Sequence, residues 1–238
     1  MHVIRSLCIA FSTYSRIPVP QVAWTDENRK YSMCFFPLIG AVIGLLLWGW
    51  LALCDALGFG ALLRGAVGAL LPILVTGGIH MDGFMDTSDA LASWQSPEKR
   101  LEILKDSRVG AGGVTAFVFL VLLKVAFLSQ LAPEAALPAL VGIPAAARFG
   151  TLISIFQFPY AREQGLGRAF VTYASAHTVE KALVLALVPV FFCGPFYLAL
   201  LGAAMLLCGP TAASAASWAA SRAIRMAPSS RAAKWPCS

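Results

Sequence analysis

The sequence predicts an all-α fold: a polytopic helical membrane protein with about six transmembrane helices and both termini cytoplasmic. Three observations predict it. The 238 residues are 58% hydrophobic and only 13% charged, whereas a soluble domain is about half apolar and about 25% charged. Several apolar runs approach the roughly 20 residues that cross about 30 Å of hydrocarbon as a helix. The basic residues fall in the segments that successive spans return to one membrane face. That bias also explains the net charge of +6. No basic run with interleaved aromatics points to nucleic acid.

The elements follow in order. Residues 1–16 read as a short amphipathic start at the membrane surface, ended by Pro18 and Pro20, which cannot continue a helix. Arg16 and these prolines stand where a signal-peptide cleavage site would lie. Residues 21–30 read as polar loop. Residues 35–54 form the first span, and residues 59–77 the second, with Arg64 near its start. A polar segment covers 78–113. Residues 114–131 form the third span, which contains Lys124, and residues 135–156 the fourth, which contains Arg148. Arg64 and Lys124 are expected to snorkel to an interface. Arg148 is expected to face a cavity. Residues 157–181 are polar again. Residues 182 to about 221 are apolar, and Gly194-Pro195 and Gly209-Pro210 divide them into two spans.

The charges orient this arrangement. Arg5, Arg16, Arg29 and Lys30 precede the first span, Lys99, Arg100, Lys105 and Arg108 lie in the first long loop, and Arg162, Arg168 and Lys181 in the second. The short turns near Asp55 and Glu134 carry no Lys or Arg. Both termini and both long loops are therefore expected on the cytoplasmic side of the membrane, in contact with lipid. The six cysteines are scattered without CxxC pairs, which excludes a zinc-type spacing and argues against a disulfide framework.

Chemistry concentrates in the first polar segment, which reads GGIHMDGFMDTSD over residues 77–89. Asp82, Asp86 and Asp89 are spaced by four and three residues, so a helix would carry them within about 60° of one another. Like charges so placed repel, and a divalent cation would relieve them. Glu102 and Asp106, also one turn apart, are candidates to complete an oxygen-rich site for Mg²⁺ or Mn²⁺. His80 is a candidate proton carrier or ligand, and equally a helix-end or interfacial residue. Lys105 and Arg108 are candidate phosphate contacts; the same stretch reads equally well as an amphipathic surface helix. The glycine run 110–113 would let backbone amides approach a phosphate, or would simply turn the chain into the next span. In the second loop, Arg162 and Arg168 are candidates to grip an anionic substrate or to contact lipid headgroups.

The segments GGIHMDGFMDTSDAL, RLEILKDSRVGAGGV and YAREQGLGRAF resemble the cobalamin synthase (adenosylcobinamide-GDP ribazoletransferase) family, as do the earlier FSTYSRIPVP and FFPLIGAVIG. The resemblance runs from about Ser12 to Arg225. It implies an integral membrane enzyme that joins adenosylcobinamide-GDP to α-ribazole or its 5′-phosphate, with Mg²⁺, and releases GMP. Carried over by position, it implies metal ligation by Asp82, Asp86 and Asp89, with Glu102 and Asp106 adding to it. It implies phosphate contacts by Lys105, Arg108, Arg162 and Arg168, and a general base among His80 and the aspartates. The family pattern continues into a GGxTGD segment and a further apolar helix, which this chain lacks. Residues 1–226 are therefore read as a single transferase domain, and 227–238 as an atypical polar tail from a truncated or frame-shifted end. Two other readings compete. A membrane-embedded alcohol phosphotransferase would carry an Ala-Arg pair where Phe84-Met85 stands. A secondary transporter would show internal repeats, and none is evident. Oligomeric state is not legible in the sequence.

Overall fold

The computed structural model describes residues 2–157, 166–199 and 201–203, and every regular element among them is helical. Helix α1 (His2–Tyr14) is followed by α2 (Asp26–Arg29), which lies within the expected loop. The Thr25 hydroxyl accepts the Asn28 N–H, and Asp26 and Glu27 fill the first turn, both favourable at a helix start. A 3₁₀ turn, Ser32–Phe35, leads into α3 (Phe36–Leu57). Then come α4 (Ala61–Thr76), α5 (Ile79–Ala92), α6 (Pro97–Ile103), α7 (Ala111–Gln130), α8 (Pro133–Gln157), α9 (Leu166–Tyr173), α10 (Thr178–Ala186) and α11 (Val190–Cys193).

Three helical stretches, Asp26–Leu57, Ala111–Gln130 and Ala136–Gln157, are long and apolar enough to cross a membrane. They coincide with the first, third and fourth expected spans. The second departs from expectation. Helix α4 has 16 residues, about 24 Å at 1.5 Å each. The chain then turns by 98° into α5, so the pair is a broken span or a re-entrant segment. The bend rests on Gly77 and Gly78, at φ +66° and +81°, a region that side-chain-bearing residues rarely adopt. Helices α10 and α11 have nine and four residues. Of the expected fifth and sixth spans, residues 200 and 204–221 lie outside the described residues, as does the tail 227–238.

Helices α3 and α8 form the most extensive pair. Gly40 and Gly44 stand four residues apart on α3. A Cβ on Gly44 would lie 2.6 Å from the Val141 Cα, and one on Gly40 2.8 Å from the Ala145 Cα. Such small-residue seams let helix backbones meet in lipid, where packing rather than water exclusion drives association. Ile39, Ile43, Phe149 and Leu152 fill the core beside the seam. Helix α4 packs on α7, with Gly65 against Val125 and Ser129. The outer face of α7 exposes Phe119, Leu122, Leu123 and Phe127, an apolar stripe suited to lipid. Arg64 pairs with Asp55 at 2.7 Å and donates to the Leu131 carbonyl, which ties the ends of α3 and α7 together. Helix α1 buries Ile9, Ala10 and Tyr14 against the bundle, and the Ser6 hydroxyl donates to the Asn28 carbonyl at 2.6 Å.

Candidate active site

The three aspartates do share α5, as their spacing requires, but the structure gives them different surroundings. Asp82 is exposed, while Asp86 and Asp89 are half-buried. Asp89 faces the start of α7. Its two oxygens accept the backbone N–H groups of Gly110 and Gly113, each at 2.7 Å. A carboxylate at this position satisfies orphan amides and complements the positive end of the helix dipole. The glycines are needed for the approach: a Cβ on Gly113 would stand 2.6 Å from an Asp89 oxygen, and one on Gly110 2.8 Å from its carboxyl carbon. Within the structure, the anion that the glycine run meets is the chain's own Asp89.

The second acidic stretch is internally neutralised. Glu102 pairs with Lys99 at 2.7 Å. Asp106 accepts the Arg108 backbone N–H at 3.0 Å and pairs with its guanidinium at 2.7 Å. That pairing holds the Asp106 carboxyl down to about 2 and raises Arg108 above its ordinary value. Both groups remain exposed, so solvent screens the attraction. Lys105 is exposed. Arg168 belongs to α9, with its side chain outside the described residues, as is Arg162 altogether. Among the described residues no three His, Cys, Asp or Glu side chains gather around a common metal position. Asp82 and Asp86, one turn apart, suit the lighter arrangement that Mg²⁺ commonly uses, with one or two carboxylates, water and substrate phosphate.

His80 stands two residues before Asp82, about 200° round the helix. Its ring lies 6.0 Å from that of Phe36, and it borders a cavity of about 700 Å³ between α3, α4, α7 and α8. Lys124 and Arg148 line the same cavity. Arg148 was expected to face one and does. Lys124, expected to snorkel to an interface, lines the same cavity, on the helix that ends at Gln130. This convergence depends on how α7 and α8 pack; the isolated apolar runs offered only the presence of one basic residue in each.

The chain matches the family model for cobalamin-5-phosphate synthase over residues 6–227. The adenosylcobinamide-GDP ribazoletransferase of Lachnoclostridium phytofermentans is 39% identical over 186 residues, covering 78% of this chain and 70% of that protein. The enzyme of the same name from Desulfitobacterium hafniense is 41% identical over 172 residues, 70% and 67% of the two chains. That from Desulforamulus reducens is 34% identical over 198 residues, 83% and 79%. No solved structure matches. With its carboxylate-bearing α5 and nearly its whole length inside the matched region, the chain belongs to the cobalamin-5-phosphate synthase family.

Proposed function

We propose that this protein transfers the cobinamide-phosphate group of adenosylcobinamide-GDP to α-ribazole or its 5′-phosphate, with release of GMP. The observation that carries the reading is the family match across residues 6–227, which contains every residue of the α5 site. It leaves the lipid-type phosphotransferase and transporter readings without support. A ribazole hydroxyl attacks phosphorus, the bond to the GMP oxygen breaks, and the hydroxyl proton leaves to a base or water. Little covalent chemistry falls to the protein in such a transfer, so positioning and charge neutralisation dominate.

The residues divide this work. Asp82 and Asp86 would hold Mg²⁺, which would supply charge neutralisation at the substrate phosphates when bound. Asp89 fixes α5 against α7 and so sets the direction in which the other two point. Lys105 and Arg108 approach the diphosphate from the α6–α7 connection, and Arg162 and Arg168 are the further phosphate contacts that the family resemblance implies. Arg108 would exchange Asp106 for phosphate, a swap made easy by the exposure of the pair. His80 lies on the cavity side of α5, so an aspartate of the motif is better placed than His80 to accept the hydroxyl proton.

The same reading places six spans in a cytoplasmic (inner) membrane, with both termini and both long loops on the cytoplasmic side. The distribution of Lys and Arg supports it. If α4 stands along the membrane normal, the 98° bend lays α5 along the surface, where soluble substrates reach its carboxylates. Membranes carrying the protein, given adenosylcobinamide-GDP, α-ribazole 5′-phosphate and Mg²⁺, should form GMP and corrinoid product in equal amounts. GMP formation that does not depend on the acceptor would reject the transfer.

A further inference from the structure

Helix α4 has no basic residue in its last turn, where a positive charge would complement the helix dipole. The carbonyls freed there are satisfied from two directions. Those of Ile73 and Leu74 accept the N–H groups of Gly78 and Gly77, at 2.9 and 3.2 Å, in the turn toward α5. That of Val75 accepts the Arg16 N–H at 2.7 Å, from the segment that follows α1. The Arg16 side chain completes the contact. A Cβ on Gly77 would lie 2.7 Å from its Nε and 3.5 Å from its Cζ and Nη2. The guanidinium therefore packs on the backbone of the bend, in the place that a side chain on Gly77 would take. It supplies at the end of α4 the cation that the helix itself lacks. Arg16 is exposed, and no carboxylate among the described residues pairs with it.

The base of this side chain is itself fixed. Tyr14 and Ser15 are buried, the Tyr14 ring lies 4.7 Å from that of Phe36, and the Ser15 hydroxyl donates to the Phe11 carbonyl at 2.7 Å. Helix α5 thus has two attachments. At its far end Asp89 accepts the Gly110 and Gly113 amides, and at its near end Arg16 holds Gly77. Asp82, whose N–H donates to the Gly78 carbonyl at 2.8 Å, and Asp86 lie between them. A rod held at one end pivots, whereas one held at both keeps its direction. Along the helix axis Asp82 is about 10 Å from Asp89 and Asp86 about 4.5 Å, at 1.5 Å per residue. A tilt about Asp89 therefore moves Asp82 roughly twice as far as Asp86. A misplacement of about 1 Å is enough to cost on the order of 100-fold in rate.

Resting on the transferase reading, we propose that Arg16 is a positioning residue for the α5 site: it braces the bend between α4 and α5 and so fixes where Asp82 stands relative to Asp86. Arg16 acts through the Gly77 backbone and touches no substrate. Gly77 is glycine both because its φ is +66° and because the Arg16 guanidinium occupies the space beside it.

Amide hydrogen exchange and steady-state turnover of the full chain test this together, for wild type, Arg16→Ala and Arg16→Lys. The Gly77, Gly78 and Asp82 amides are hydrogen-bonded, so their exchange reads the opening of the bend. In Arg16→Ala, exchange over residues 77–82 should quicken by about tenfold or more while α3 and α8 keep their wild-type rates. Its kcat for GMP release should fall by about tenfold or more, with the KM for adenosylcobinamide-GDP within about twofold of wild type. Arg16→Lys, which keeps a cation at the end of α4, should recover part of both. Gly77→Ala should lower the melting temperature less in the Arg16→Ala background than in the wild type, because the clash is gone. Where Arg16→Ala does not fold, Arg16→Gln takes its place under the same criteria. Unchanged exchange at 77–82, faster exchange spread evenly over the chain, or additive losses in the Gly77 cycle overturns the brace. So does intact turnover despite faster exchange, or a raised KM with kcat intact, which would make Arg16 a substrate contact. The local exchange response in a wild type and variant that release no GMP would instead reject the transferase reading and leave the brace at the bend standing.

Discussion

Asp89 shows how one motif supplies two kinds of side chain. Its spacing from Asp82 and Asp86 is what a metal-binding helix face requires, and the sequence offers nothing to separate the three. The separation comes from Gly110 and Gly113, which arrive 21 and 24 residues later to occupy both Asp89 oxygens. A long-range contact of this kind is invisible to helical periodicity. It also explains why the glycine run is needed without any phosphate: a side chain at Gly113 would collide with the carboxylate. Asp89→Ala should therefore act first on stability. Two amides at the start of α7, on half-buried Gly110 and buried Gly113, lose their acceptor, at a cost of about 1–3 kcal/mol. A clear fall in the melting temperature of the detergent-solubilised protein is the expected outcome, and a melting curve that matches wild type would remove the anchoring role.

At the scale of elements, the apolar runs were legible because a membrane span must be long and continuous. The expected spans 35–54, 114–131 and 135–156 agree with α3, α7 and α8 to within a few residues. The bend between α4 and α5 was not legible. Gly77-Gly78 marks a break, but the angle follows from where α5 packs on α7. Nor were the partners of α3, since an apolar run does not say which neighbour it meets. The structure shows the Gly40 and Gly44 seam on α8 in backbone contact. Gly44→Leu would force a side chain into the Leu140–Val141 backbone, an overpacking that costs about 1–3 kcal/mol. Gly49→Leu, on the same helix with open space around it, is the control. Thermal melting should show a marked loss for the first and little for the second; equal effects would contradict the seam.

At the scale of the whole molecule, the long apolar helices α3, α7 and α8 carry the carboxylate-bearing α5 and the short α6. The Arg64 bridge between Asp55 and Leu131 gathers the two short turns at one end, while α5 and α6 extend the opposite chemistry. In a cysteine-free background, a single cysteine at Lys99 should react with an impermeant maleimide only from the cytoplasmic face. One at Glu134 should react only from the other face. Labelling of both from one side would refute the topology.

If carboxylates of α5 serve phosphoryl transfer, removing the charge of the exposed Asp82 must show it. GMP release from adenosylcobinamide-GDP and α-ribazole 5′-phosphate is measured for wild type and Asp82→Asn across a Mg²⁺ titration. A loss of about 100-fold or more is expected in the variant, on the scale of losing one charge-stabilising contact to the transition state. Turnover in Asp82→Asn equal to wild type at every Mg²⁺ concentration would contradict it.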